Sequence, residues 1–178
     1  MKEVQKIMAK IELENSSEKL GGPGAIVELD ESKFGKRKYN RGHRVEGVCV
    51  FGMVERTPRR AIRLFEVEKR DARTLCKLVK ENVAQGTAIY TDKWKGYTAL
   101  NTLGFNHQTV NHSENFKDPN TGVHTNTIEG NWAGIKGLCT SGFKRLKWIS
   151  FYLKLYTLKR LYENDLFYII LDKLINDF

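Results

Sequence analysis

The sequence has little cysteine, little proline and no long apolar run, and each shortage excludes a class of protein. Its 178 residues include three cysteines and three prolines. Cys49, Cys76 and Cys139 lie far apart and form no C-x-x-C pair, which argues against a zinc ribbon or a disulfide framework. We therefore expect free thiols and a reducing compartment.

Apolar runs long enough to cross or enter a membrane are also missing. No stretch approaches the roughly 18 apolar residues that a spanning helix needs. Residues 1–20 are charged and lack the apolar centre of a signal peptide. These patterns predict a soluble, intracellular protein without a membrane partner, placed in the nucleus in a eukaryote or in the cytoplasm in a bacterium.

Positive charge exceeds negative charge along the chain. Thirty Lys and Arg residues stand against 21 Asp and Glu residues, a formal net charge of +9. This excess favours a polyanionic partner such as nucleic acid. Charge by itself leaves open an ordinary basic protein with no such partner.

The first part of the chain predicts a helical lead-in followed by strands. Residues 1–20 are mildly helical and end at a Gly-Gly-Pro-Gly run, 21–24, that has the composition of a linker. Short runs rich in β-branched and aromatic residues then predict three strands, at 26–30, 45–55 and 61–67. A turn at 57–60 predicts that the second and third strands pair as an antiparallel hairpin.

Helical and strand periodicity alternate in the rest of the chain. Asp71 is placed to begin a helix and Gly86 to stop it. Further elements follow in the order strand 88–92, short helix ending at Gly104, strand 106–110, loop 111–122, helix from Thr125 or Asn126 to about Leu138, and two C-terminal helices. We therefore predict one α/β domain with a five-stranded mixed sheet flanked by helices.

Two aspartates end predicted strands of this sheet. Asp30 closes the first strand, where alternation places Glu28 and Asp30 on one face, and Asp92 closes the fourth. Two strand-terminal acids in one sheet raise the odds of a metal site. The plainer interpretation is a pair of solvated carboxylates at turns, where aspartate is common.

A third acid lies in the segment HTNTIEGNWAGIK, residues 124–136. Glu129, Trp132 and Lys136 are spaced by three and four residues, so they share one face of the predicted helix. Glu129 also follows Asn126 by three residues, the spacing of a helix cap with an acidic partner. Three carboxylates on such a scaffold can hold two Mg²⁺ or Mn²⁺ ions, the arrangement that serves in-line displacement at phosphorus.

Several motifs together resemble a known family. The run GGPG, the run LDESKFGKRKYNRGHRVEG, the block TDKWKGY and the segment VNHSENFKDPNTGVHTNTIEGNWAGIK are similar to the catalytic domain of Merlin-type DDE transposases and their ISXO2-like bacterial insertion-sequence relatives. The resemblance covers roughly residues 20–160. It implies an RNase H-like fold, with Asp30, Asp92 and Glu129 as the catalytic, metal-binding acids and Lys136 as the lysine of a DDE-plus-Lys pattern.

The resemblance divides the chain into an N-terminal lead-in of residues 1–20, a catalytic domain of residues 21–160 and a C-terminal helix of residues 161–178. It implies metal-dependent DNA strand cleavage and strand transfer, with transposon ends and target DNA as partners and a homo-oligomer as the active complex. Two departures favour a catalytically idle DNA-binding remnant as the alternative. Family members usually carry a DNA-recognition region before the GGPG run, and Leu155 stands where they tend to have an acid.

A general RNase H-like nuclease is a weaker possibility, because the HTNTIEG and TDKWKGY blocks match the transposase pattern.

Other residues carry supporting predictions. A basic stretch from Lys33 to Arg44 is expected to contact the DNA backbone together with Lys136, and its members singled out for this are Lys36, Arg37, Lys38 and Arg41. A solvated loop or a nuclear localisation signal would have the same composition. His112, His124 and Asn126 are candidates for supporting the metals or the scissile phosphate, or for hydrogen bonds within the loop. Trp94 and Trp132 are expected to pack in the core rather than stack on bases.

Overall fold

A computed structural model of the chain describes residues 2–15, 18–35, 47–139 and 148–176. Its elements in chain order are α1 (Lys2–Asn15), β1 (Ile26–Phe34), β2 (Val48–Glu55), β3 (Ile62–Val67), α2 (Ala72–Asn82), β4 (Ala88–Asp92), a 3₁₀ helix (Lys95–Leu103), β5 (Asn106–Val110), α3 (Asn126–Leu138), α4 (Ile149–Tyr162) and α5 (Leu166–Asn176). The predicted strands and helices are therefore confirmed in number and order.

The five strands form one mixed sheet in the order β3-β2-β1-β4-β5. β2 pairs antiparallel with both β1 and β3, as the hairpin prediction required. β4 pairs parallel with both β1 and β5. An antiparallel half joined to a parallel half, with helices against the sheet, is the α/β architecture of the RNase H-like fold that was predicted.

Each face of the sheet is covered by its own set of helices. β2 shows the division, because successive residues of a strand point to opposite faces. Phe51 and Met53 pack in the core that contains residues of α2 and the 3₁₀ helix. Val50 and Val54 pack in the core that contains residues of α3 and α4. The two apolar cores hold the strands between two helical layers.

Local signals explain where two of the helices begin and end. The Asp71 side chain accepts a 2.8 Å hydrogen bond from the Thr74 N–H and caps α2, as predicted. α2 ends at Asn82, before the predicted stop at Gly86, because Val83 leaves the helix to bridge to Leu20. Gly104 ends the 3₁₀ helix in the left-handed conformation, at φ 82°, which glycine adopts without strain.

β1 is longer than the sequence pattern predicts. The prediction ended it at Asp30, but its pairing with β2 continues to Phe34. The pairing with β4 ends earlier, at Glu28 opposite Tyr90. Asp30 therefore lies inside β1, just beyond the point where the parallel neighbour stops, rather than at the end of the strand.

The two ends of the chain pack together. Ile7, Met8 and Ile11 of α1 form a small core with Leu158 of α4 and with α5. The apolar face predicted for the last helix faces this core, with Leu166, Ile169, Ile170 and Leu174 all in contact with it. The proposed boundary between residues 160 and 161 falls within α4.

The glycine run after α1 is held against the sheet. The Gly21 N–H donates to the Glu55 carboxylate at 2.7 Å, and the Gly22 N–H donates to the Thr87 hydroxyl at 2.9 Å. A segment with the composition of a linker is thus fixed by specific bonds. Among the helices described, none is both long enough and apolar enough to span a membrane.

Candidate active site

Asp30 and Asp92 lie on β1 and β4, two neighbouring inner strands of the sheet, where the pairing of these strands ends. β1 and β4 are parallel, with Glu28 opposite Tyr90, and the two aspartates each follow two residues later. Parallel strands present equivalent positions to the same face, so both side chains belong to the face covered by α3. The fold therefore brings the two predicted aspartates side by side.

Helix α3 is attached to Asp30 through Trp132. The Trp132 Nε1–H donates a 2.8 Å hydrogen bond to Asp30 Oδ2. The ring itself is buried and meets Phe34 edge-on, with 6.1 Å between centroids. The prediction that Trp132 packs rather than stacks on bases agrees with this position. The sequence pattern did not indicate that Trp132 also binds a predicted catalytic acid.

The charge on Asp30 is unfavourable in this environment. The pKa of Asp30 is raised from 3.8 to about 6, mainly by burial and also by the negative charges of Asp92 and Glu129, against the opposing effects of the Trp132 hydrogen bond and of a backbone hydrogen bond from Glu31. A raised pKa means that the negatively charged form of the carboxyl group is disfavoured, because too little positive charge lies nearby to balance it. The other two predicted acids thus both lie close enough to act on Asp30 electrostatically.

Glu129 is held by two neighbours. The Thr125 hydroxyl donates to Glu129 Oε1 at 2.8 Å, and His112 Nε2 lies 3.2 Å from the same oxygen. His112 Nε2 also lies 2.7 Å from the Thr125 hydroxyl oxygen. Because the hydroxyl proton is directed to Glu129, Nε2 is the ring nitrogen that carries a hydrogen in this arrangement. Of the supporting residues predicted, His112 is the one in contact with Glu129.

The helix-cap interpretation of Glu129 does not hold. The N-cap residue of α3 is Thr125, not Asn126, and the Thr125 side chain makes no capping bond to the helix. The reason is the contact just described, because the hydroxyl is used for Glu129 instead. Glu129 lies one residue beyond the position of a capping-box partner.

The turn that follows β4 orients the Asp92 carboxylate. Its Oδ1 accepts a 3.0 Å hydrogen bond from the Trp94 backbone N–H. The Trp94 ring packs edge-on against Tyr97, with 5.4 Å between centroids, and Arg70 lies over it. Trp94 therefore has a packing role, and the turn hydrogen bond leaves the second Asp92 oxygen for other partners.

His124 and Asn126 occupy a separate network at the start of α3. Arg56 donates 2.7 Å bonds to both the ring Nδ1 and the carbonyl oxygen of His124. The Asn126 backbone N–H points at the same Nδ1, at 3.3 Å. Burial and the Arg56 charge lower the His124 pKa, which favours the neutral ring. These two residues organise the loop, which was the alternative interpretation given for them.

The structure describes only some of the residues that were predicted to contact DNA. Lys136 is exposed near the end of α3, and its Nζ lies 5.7 Å from the centroid of the Phe34 ring at the end of β1. Lys36, Arg37, Lys38 and Arg41 lie outside the described residues. Their role stays a prediction from the sequence.

The fit of a metal ion rests on the chemistry of the three acids. Within the described ranges, no three His, Cys, Asp or Glu side chains form a ready-made metal-binding group. The donor set of Asp30, Asp92 and Glu129 nevertheless consists of carboxylate oxygens, the ligands that Mg²⁺ and Mn²⁺ take. The raised pKa of Asp30 marks a place where an added positive charge would be stabilising. The residues present therefore fit a divalent cation.

Two residues that hold α3 and the loop before it, Glu28 and Arg56, were missed as functional candidates in the sequence. Glu28 is fully buried, pairs with Arg56 and accepts a 2.9 Å bond from the Ile128 backbone N–H. An acid inside the apolar run IVELD was the available signal, because a fully buried charge requires a partner. The partner, Arg56, is distant in sequence and carries no pattern of its own.

Comparison with known proteins gives one finding. A family model for the ISXO2-like transposase domain, a DDE transposase family, matches residues 19–165, which is most of the chain. The matched region includes the three acids, Lys136 and the two candidate histidines, His112 and His124. No curated protein shows a significant match to the sequence.

Proposed function

This chain belongs to the ISXO2-like transposase domain family, and we propose that it is the catalytic domain of a DNA transposase whose catalytic acids are Asp30, Asp92 and Glu129. The observation that carries the proposal is that Asp30 of β1 and Asp92 of β4 follow paired residues on neighbouring strands, and that the charges of Asp92 and of Glu129 of α3 both act on Asp30. Membership of a transposase family supports a role in transposition and DNA recombination.

Asp30, Asp92 and Glu129 would hold the divalent cations on which DDE transposases generally depend, and we propose two Mg²⁺ or Mn²⁺ ions. When bound, such ions activate a water or 3′-hydroxyl nucleophile and stabilise the leaving oxygen at phosphorus. Trp132 keeps one Asp30 oxygen oriented by its hydrogen bond. Thr125 and His112 hold one Glu129 oxygen in the same way.

The reaction proposed is two successive displacements at phosphorus. Water attacks a phosphodiester at the transposon end, the bond to the 3′ oxygen breaks, and a 3′-hydroxyl and a 5′-phosphate remain. That 3′-hydroxyl then attacks a phosphodiester of the target, forms a new 3′–5′ link and releases a target 3′-hydroxyl. Lys136 and the basic stretch after β1 would bind the backbone phosphates during both steps. We propose a homo-oligomer as the active form.

Nicking of supercoiled plasmid in Mg²⁺ or Mn²⁺ tests the proposal. Asp92→Asn removes one carboxylate ligand while keeping an acceptor for the Trp94 N–H, so nicking should fall to background and duplex binding should stay intact. Asp71→Asn is the matched control, because it makes the same change at the cap of α2, on the opposite face of the sheet. Asp92→Asn that nicks as fast as the wild-type protein would show that the site is misassigned.

The alternative, a catalytically idle DNA-binding remnant, is favoured by the lack of a ready-made three-ligand metal group among the described residues. The same assay separates the two functions. A wild-type protein that binds duplex DNA but gives no metal-dependent nicking supports the remnant.

A further inference from the structure

The start of helix α3 is capped from another part of the fold. The first amides of a helix have no partner within it and need an acceptor. Thr125, at the N-cap position, does not supply one, because its hydroxyl is directed to Glu129. Glu28 Oε2 accepts the Ile128 N–H at 2.9 Å, although the two residues are 100 positions apart. A side chain of β1 thus does the work that a neighbouring N-cap residue normally does.

Arg56 keeps this distant cap in place. Its Nε–H donates to Glu28 Oε1, the oxygen that the Ile128 amide does not use. Its Nη2–H donates to the His124 carbonyl oxygen at 2.7 Å, on the chain just before α3. The guanidinium therefore joins the strand to the loop, and it supplies the positive charge that a fully buried carboxylate requires.

Glu28 and Asp30 each accept a hydrogen bond from α3, and the spacing of the two acceptors along β1 matches that of the two donors along α3. They are two residues apart on one face of β1, about 6.6 Å along a strand. Their partners, Ile128 and Trp132, are four residues apart on α3, about 6 Å along a helix. Two bonds with nearly equal spacing fix how far α3 can slide along β1. Glu129 lies between the two anchored residues.

We propose that Glu28, held by Arg56, is a positioning residue that caps α3 from β1 and sets where Glu129 lies relative to Asp30. The consequence for catalysis rests on the function proposed above, whereas the cap itself does not. Neither residue is predicted to touch DNA or metal. Their effect is on the place of Glu129.

The test compares Glu28→Gln with Glu55→Gln. Glutamine at position 28 has one acceptor oxygen for two donors, so its amide group must face either Arg56 or the Ile128 N–H and that bond is lost. Glu55 is a buried carboxylate in the adjacent strand that also binds a backbone amide, that of Gly21. Its neighbour Val54 packs in the core that contains α3, so the Glu55 side chain is directed to the opposite face of β2. The control therefore makes the same chemical change at a comparable site.

Amide hydrogen exchange in the metal-free 178-residue protein is the first measurement. For Glu28→Gln we expect exchange in residues 126–129 to become about 10-fold faster, with other helices unchanged, because a hydrogen bond to a charged acceptor is lost. Glu55→Gln should leave this region unchanged. Unchanged exchange in Glu28→Gln, or equal changes in the two variants, would overturn the proposal.

Plasmid nicking over a range of Mg²⁺ concentrations is the second measurement. Glu28→Gln should lower the rate about 10-fold or more at saturating Mg²⁺ and raise the half-saturating concentration, because a displaced carboxylate positions its ligands poorly. Duplex affinity in Ca²⁺ should not change. Arg56→Lys, which keeps the charge but cannot hold both partners, should show the same pattern in a protein that still folds.

The outcomes separate this inference from the proposed function. A wild-type protein without metal-dependent nicking refutes the function, and the exchange data still decide the cap. Wild-type rates in both Glu28→Gln and Arg56→Lys, in a protein that does nick, would refute the positioning role and leave the function standing.

Discussion

Trp132 donates its indole N–H to Asp30 Oδ2 across 2.8 Å, and this bond ties the middle of helix α3 to the centre of strand β1. Directly beside Asp30, Gly52 of β2 leaves room for the Trp132 ring. One aromatic side chain therefore both fills the core and orients a predicted catalytic acid.

Replacing Trp132 by Phe should uncouple these two roles. The ring is largely kept, but the hydrogen bond to Asp30 is lost, so the free energy of unfolding should fall by about 1–2 kcal/mol. Nicking should fall by about 10-fold, since Asp30 is no longer held in one orientation. Chemical denaturation and the plasmid assay measure the two effects.

Trp94→Phe is the control for this change, because Trp94 is also partly buried but its ring packs against Tyr97 and Arg70. A larger loss of nicking in Trp94→Phe than in Trp132→Phe would contradict the role assigned to the Asp30 bond.

Gly52→Ala should disturb the site through a steric clash with side chains of α3. A Cβ at position 52 would lie 2.6 Å from Cη2 of Trp132 and 2.9 Å from Cδ1 of Ile128, too close for either. α3 must then move away from the sheet, and the free energy of unfolding should fall by about 1–3 kcal/mol, with loss of nicking. Thermal denaturation gives the stability.

Gly137→Ala is the matched control for Gly52→Ala. A Cβ there meets no atom within 4 Å, and an exposed helical glycine replaced by alanine should stabilise α3 by about 0.5–1 kcal/mol. Equal Tm values for Gly52→Ala and wild type would show that the Trp132 packing is looser than the contact implies.

Asp30→Asn should make the metal-free protein more stable at neutral pH. Folding raises the pKa of Asp30 from 3.8 to about 6, so the folded state holds this proton more tightly and its stability decreases as the pH rises through that interval. Above pH 6 the cost reaches at most about 3 kcal/mol, and asparagine avoids it while keeping an acceptor for Trp132.

Thermal denaturation in EDTA at pH 8 and at pH 4 measures this effect. Asp30→Asn should exceed the wild-type Tm at pH 8, and the difference should shrink at pH 4, where the wild-type carboxyl is protonated in the folded protein. A lower Tm for Asp30→Asn at pH 8 would mean that the charge on Asp30 is already compensated.

Lys136→Ala should weaken DNA binding far more than folding. The exposed ammonium lies near the Phe34 ring, a contact worth about 0.5–1 kcal/mol, and it shares the helical face of Glu129. Duplex affinity should weaken steeply with salt, and the slope of log affinity against log salt should fall by about one in Lys136→Ala. Lys136→Arg should keep part of the strand-transfer activity, because the charge is retained.

The control for Lys136 is Lys77→Ala, an exposed lysine on α2 at the other face of the sheet. Salt titrations of duplex binding compare the variants. Identical slopes and strand-transfer rates for Lys136→Ala and wild type would assign Lys136 to the solvated surface.

Local sequence signals and motif resemblance were enough to predict the element order and the three candidate acids. Strand alternation and the change to helical period placed β4, β5 and α3 within a residue of their ends, because these signals are local and follow from which side chains must be buried. Motif resemblance then singled out Asp30, Asp92 and Glu129, and the family match agrees with that resemblance.

The contacts that hold those acids depend on long-range packing. The extension of β1 to Phe34 depends on pairing with β2, and the contacts of Asp30 with Trp132 and of Glu28 with Ile128 join residues about a hundred positions apart. No local pattern encodes such contacts, because they arise only when α3 is packed across the sheet. The same packing buries Glu28 and raises the pKa of Asp30, since burial is a property of the folded chain and not of the residue.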